Sequence, residues 1–234
     1  AAIAALKAPV AVPEPPGMPQ EVENPNNDAT LNAIAEKYKG SGWFSGTVTW
    51  RRQGDDVIFS GSGWGANPEG AQSEYNQLKA EYDKYLEKLE KAYLLHRCSR
   101  YDLQGKEIMK TQEKFYLADV AFRYSVLGFQ ADTVASSLEN VVYLELCRRG
   151  YTVYIGKTGD AEIDFVATRQ NEKIYVQVTE RICSEQTEKR EYERLLDIKD
   201  NYPKYVLRTD EFAEGNYEGI KTMHVADFLL SEEY

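Results

Sequence analysis

Asp164 stands between Ile163 and Phe165 in the run EIDFVATR (162–169), which reads as a strand. An ionised carboxylate in an apolar strand is costly unless it is paired or holds a metal. Two further acids lie within reach by helical geometry. ASSLENVVYLELCRRG (135–150) reads as a helix with Leu138, Val141, Val142 and Leu146 on one side; Glu145 falls inside that stripe and Glu139 at its edge. In the next strand, KIYVQVTE (173–180), Gln177 shares a face with Tyr175 and Thr179. With the helix packed on the sheet, Glu139 or Glu145 converges on Asp164 and Gln177. Carboxylate and amide oxygens of this kind are ligands for Mg²⁺ or Mn²⁺, not for zinc. Strict alternation puts Ile163, Phe165 and Ala167 on one face of their strand, with Glu162, Asp164 and Val166 on the other.

Other chemistries are poorly supplied. Cys98, Cys147 and Cys183 are an odd count without a CxxC pair, and His96 and His224 are the whole histidine complement. That excludes a disulfide scaffold and a structural zinc site, and it fits reduced, mostly buried thiols. GSGWG (61–65) lacks the strand–turn–helix setting of a nucleotide loop, and Pro68 follows it closely. Gly150 to Thr158 imitates a P-loop with one residue too many between its glycines, so ATP hydrolysis by this chain is not expected.

The surrounding elements fall into zones. Six of the eight prolines lie in residues 1–27, an extended tail. Residues 28–72 read as a short helix capped by Asp28, then a Gly/Trp-rich hairpin with strands 43–51 and 56–64. Residues 73–134 open with a long helix carrying Tyr75, Leu78, Tyr82, Tyr85 and Leu89 on one face. A basic hairpin around Gln104-Gly105 follows, a helix–hairpin connector of winged-helix-like form. Its His96, Arg97, Arg100, Lys106 and Lys110 either reach phosphates or form a solvated face. Residues 135–234 give helix, three strands and helix, then a strand after Pro203 and a closing segment, HVADFLL, with Asp227 as its cap.

The 234 residues are 42% hydrophobic and carry a net charge of −10, with 17 Tyr, 8 Phe and 3 Trp. This composition supports a buried core and excludes wholesale disorder. No apolar run approaches the roughly 18 residues of a membrane-spanning helix. The negative charge opposes generic polyanion binding, so DNA needs a local basic patch or a bound metal. AAIAALKA at the start is too short and too weakly charged for a signal peptide, and with the cysteine usage this points to the cytoplasm.

Several segments together carry a resemblance: YLEKLEKAYLLHRCSRYDLQGKEI, KFYLADVAFR, LENVVYLELCRRGY, EIDFVA, YVQV and KREYERLLDIKDNYPKYVL. In this order, from about residue 82 to the end, they resemble the C-terminal domain of prokaryotic AAA-type ATP-binding proteins, a divergent member of the PD-(D/E)XK nuclease superfamily. The resemblance does not reach residues 1–72, and no ATPase domain accompanies it. It implies a restriction-endonuclease-like α/β fold, a mixed sheet flanked by helices. It also implies a site in which Glu139 is the helical glutamate, Asp164 the strand aspartate and Gln177-Val178-Thr179 the (D/E)xK element. An amide then stands for a carboxylate, and Thr179 for the lysine that stabilises the nucleophile or the transition state. Lys157 and Lys173 are candidates to substitute for that lysine. The expectation is a nuclease-like, DNA-associated domain with a degenerate Mg²⁺ or Mn²⁺ site. The alternative is a non-catalytic interaction module that meets a protein partner through the N-terminal extension.

Overall fold

The computed structural model describes residues 24–54, 56–129, 133–159, 161–180, 185–210 and 215–231, with the backbone alone for 110–112 and 185–190. The Pro-rich tail up to residue 23 and Cys183 lie outside the described residues. Two units divide the chain: residues 24–51 with 57–85, and residues 52–56 with 86–231.

In the first unit, helix α1 (Asp28–Lys37) is capped not by Asp28 but by Asn27, whose side chain accepts from the Ala29 amide at 2.9 Å. Strands β1 (Thr47–Gln53) and β2 (Asp56–Ser62) make a two-stranded sheet, and helix α2 (Pro68–Lys91) follows. Leu31 and Ile34 of α1, Val48, Val57 and Phe59 of the hairpin, and Ala71 and Tyr75 of α2 form the core. The glycines have a steric reason here: a Cβ on Gly40 would collide with the Phe44 carbonyl and the Gly46 amide.

The second unit is a mixed α/β domain. Its strands are β3 (Leu95–Asp102), β4 (Glu107–Leu117), β5 (Thr152–Thr158), β6 (Ala161–Arg169), β7 (Glu172–Val178), β8 (Lys204–Arg208), β9 (Gly215–Tyr217) and β10 (Ile220–His224). They form one eight-stranded sheet in the order β4-β3-β5-β6-β7-β8-β10-β9. The basic hairpin β3–β4 does not stand apart from this sheet. It joins through parallel pairing of β3 with β5 and makes one edge.

Helices α3 (Ala121–Leu127), α4 (Val134–Arg148), α5 (Glu185–Leu196) and α6 (Val225–Leu230) complete the unit. One face packs α4 and α6 through Val142, Leu146 and Phe228 against Phe165, Val176 and Leu207. The other packs Tyr192 and Leu195 of α5 against Ile163, Val166, Tyr175 and Val206. Strand β7 is buried on both faces, which is why Ile174, Tyr175 and Val176 read as an unbroken apolar run. His224, not Asp227, caps α6 by accepting from the Ala226 amide at 3.1 Å. Among the described residues no helix is long and apolar enough to cross a membrane.

Candidate functional site

The β6–β7 ladder runs from Arg169↔Glu172 to Phe165↔Val176 and ends there. Beyond that point side chains replace backbone pairing. The Val178 amide donates to Asp164 Oδ2 at 2.8 Å, and the Asp164 amide donates to Gln177 Oε1 at 3.3 Å. Across β6 on its other side, the register with β5 slips between Tyr154↔Val166 and Gly156↔Ile163, so Asp164 and Phe165 together oppose one residue. This is a β-bulge, and it re-aims side chains. Ile163 turns to the α5 face, while Phe165 and Ala167 face α4 and α6. The strict alternation expected for 162–169 is therefore broken at Asp164. Gly156 permits the crowding, because a Cβ there would sit 2.8 Å from Val166 Cγ2 and 3.1 Å from Ile163 Cβ. Gly156→Ala is expected to cost about 1–3 kcal/mol by overpacking, read as a lower midpoint in urea denaturation.

Glu139 is the helical acid whose charge bears on Asp164. Asn140 beside it grips β4, its amide oxygen accepting from the Leu117 amide and its amide nitrogen donating to the Leu117 carbonyl, both at 2.8 Å. That tether sets Glu139 against two residues of β4 that share a face. Tyr116 donates its hydroxyl to Glu139 Oε1, and Lys114 Nζ lies 3.2 Å from the same oxygen. Lys114 also pairs with Glu162 at 2.8 Å, and Arg100 pairs with Glu162 from β3. From α5, buried Glu191 accepts from Gln177 Nε2 at 2.9 Å. Glu145 belongs elsewhere: it is buried and binds Arg148 and Arg149, and Arg149 lies over the Phe228 ring.

Electrostatics follow from this packing. Burial first, and then the Glu139 carboxylate, push the Asp164 carboxyl up to about 7, against the opposing pull of the Val178 amide and Lys114. Burial alone would lower the Lys114 ammonium, but Glu139 and Glu162 outweigh it and hold Lys114 above its ordinary value. Burial and Glu139 raise Tyr116 far enough to keep its phenol a donor. Cys98 is buried and its thiol is pushed up to about 12 by that burial, so it is no nucleophile at neutral pH.

Of the residues singled out in the sequence, Asp164 and Gln177 bond to each other, and the charge of Glu139 bears on Asp164 from α4, whereas the Gln177 side chain turns to Glu191 of α5 on the other face of the sheet. Thr179 lies just past β7, its amide donating to the Leu207 carbonyl. Lys173 sits among tyrosine rings near the other end of β7, and Lys157 lies on β5 in register with Glu162. The ammonium that reaches the carboxylates is Lys114. Its signal was the spacing of Lys114 and Tyr116 in KFYLADVAFR, two residues apart and so on one face of a strand.

The basic hairpin is largely neutralised by its own surroundings. Arg97 pairs with Glu90 and Glu113 at 2.8 and 2.6 Å, and Arg100 with Glu162. Lys106 is exposed in the turn, and the side chain of Lys110 lies outside the described residues. Among the described residues no three His, Cys, Asp or Glu side chains stand ready to hold a metal. Glu139 and Asp164 offer hard oxygen donors with Lys114 as the counter-charge of Glu139, while the Gln177 amide oxygen is already taken by the Asp164 amide.

Residues 66–133 match a family described as a domain of unknown function (DUF8612). This span includes Lys114 and Tyr116 and stops short of α4. The chain is 40% identical over 147 residues to a Haemophilus influenzae protein described as uncharacterized, covering 63% of this chain and 36% of that protein. The chain thus spans little more than a third of the length of that relative. No solved structure matches.

Proposed function

We propose that the second unit is a nuclease-like, DNA-associated domain of the PD-(D/E)XK kind, related to the C-terminal domains of AAA-type proteins. Its site is Glu139, Asp164 and Gln177, with Lys114 in the role that Thr179 cannot fill. The observation that carries this reading is the buried Asp164 carboxyl in the gap between β6 and β7, with Glu139 and Lys114 acting on it from α4 and β4. A bound Mg²⁺ or Mn²⁺ supplies a Lewis acid for a phosphoryl oxygen and an acidified water. The chain's own residues do the rest. Tyr116 and Lys114 orient Glu139, the Val178 amide orients Asp164, and the Lys114 ammonium offers positive charge to a phosphodiester.

Labelled single- and double-stranded DNA incubated with Mn²⁺ or Mg²⁺ tests the reading. Cleavage is expected, falling at least about a hundredfold in Asp164→Ala and in Lys114→Met. Absence of cleavage with either metal by folded protein would remove the catalytic part.

A second reading has its own observation. Phe122, Val126 and Leu127 of α3, with Phe129 beyond it, are 47, 81, 60 and 74% exposed. An apolar surface of that kind favours an interaction module with a protein partner.

A further inference from the structure

A separate cavity of about 460 Å³ opens on the α5 side of the sheet, between the β3–β4 turn, the start of β7 and the segment after α5. Its size falls in the range of about 300–1,000 Å³ typical of small-molecule sites. Lys173 lines it. The ammonium lies 5.0, 5.7 and 6.0 Å from the ring centroids of Tyr202, Tyr101 and Tyr175. It makes no hydrogen bond or ion pair with any described residue, so its three donors are available. Lys106 and Lys199 also line the cavity, and the buried Thr158 hydroxyl beside them has no partner among the described residues.

The acids of the wall offset part of this charge. Asp200 accepts from the Tyr175 hydroxyl at 2.6 Å and lies 3.8 Å from Lys204 Nζ, so three ammonium groups, of which Lys199 donates to the Leu196 carbonyl, face the two carboxylates of Asp197 and Asp200. In a chain of net charge −10 this is a local concentration of positive charge, and it selects an anion. A bare phosphate would leave most of the volume and the aromatic walls unused. Tyr202, 42% exposed, offers a ring against which a planar base can stack beside Lys173, whereas Tyr101 already packs on the Tyr154 ring. We infer that this cavity binds a nucleoside phosphate, with the base against Tyr202 and the phosphate on Lys173 and Lys106. The ligand is either a free nucleotide or one nucleotide unit of a strand.

This inference does not rest on the nuclease reading, because no residue of the Asp164 site lines the cavity. The test is titration of the full chain with adenosine 5′-monophosphate in the presence of a chelator, which takes divalent metal out of the measurement. Saturable binding is expected, at least about tenfold weaker for adenosine and for Lys173→Met, since each removes the charged contact. Tyr202→Ala is expected to weaken it several-fold, and as an exposed position it leaves the fold intact to show the effect. Competition by a short 5′-phosphorylated single-stranded oligothymidylate identifies the unit of a strand as the ligand; binding without such competition identifies a free nucleotide. No saturable binding of either probe, equal affinity for adenosine and its monophosphate, or unchanged affinity in Lys173→Met would overturn the inference.

Discussion

Asp164→Asn is expected to melt at a higher temperature than the wild type at pH 8 and at the same temperature at pH 4. The substitution keeps an oxygen that can accept from the Val178 amide and removes only the charge. In the folded chain burial and Glu139 raise the Asp164 carboxyl to about 7, whereas an unfolded aspartate titrates near 3.9. Between those values the folded state keeps a proton that the unfolded state has lost. The wild type is therefore stabilised at low pH, and this contribution disappears as pH rises through the folded value. Holding that proton against its loss on unfolding is worth roughly 4 kcal/mol as an upper bound, or about 10 °C in a domain of this size. Excess Mn²⁺ narrows the difference at pH 8, because a cation favours the ionised carboxylate that only the wild type has. Equal melting at both pH values would mean that Asp164 is not held against its charge.

Removing the ammonium has the opposite sign. Lys114→Met leaves Glu139 and Glu162 without their shared cation, and it withdraws a group that favours ionised Asp164. Lys114 and its partners are each a fifth to a third exposed, so the loss falls below that of a fully buried pair, at about 1–3 kcal/mol near pH 7. The effect is specific to charge, which a double-mutant cycle reads directly. Glu139→Gln in the Lys114→Met background restores part of the lost stability, with a coupling of about 0.5–3 kcal/mol in urea denaturation. Strictly additive losses would show that Lys114 is not the counter-charge of Glu139.

What could be read from the chain, and what could not, divides along physical lines. Asp164 was legible because a carboxylate between Ile163 and Phe165 violates the rule for a buried strand. The α/β class was legible because the periodicity changes from helix to strand after Gly150, with its positive φ at the end of α4. Glu139 could not be separated from Glu145, since both lie on the inward part of one helix. The choice is made by Arg149, which claims Glu145 and is itself held by Phe228 of α6, about eighty residues further on. The bulge was hidden because register belongs to a pair of strands, and its permissive residue, Gly156, is on the partner. Lys114 was hidden for a similar reason. Its place beside the site depends on a parallel joining of β3 to β5 that no local pattern encodes.

The grip of Asn140 on Leu117 has a bearing on how the protein behaves in a crowded solution. Strand β4 is an outer strand of the large sheet, and an outer strand offers its open amides and carbonyls to any passing chain. At Leu117 both groups are already taken by one asparagine side chain, which imitates the peptide of a neighbouring strand. The residue that aligns Glu139 therefore also closes that end of the sheet to self-association.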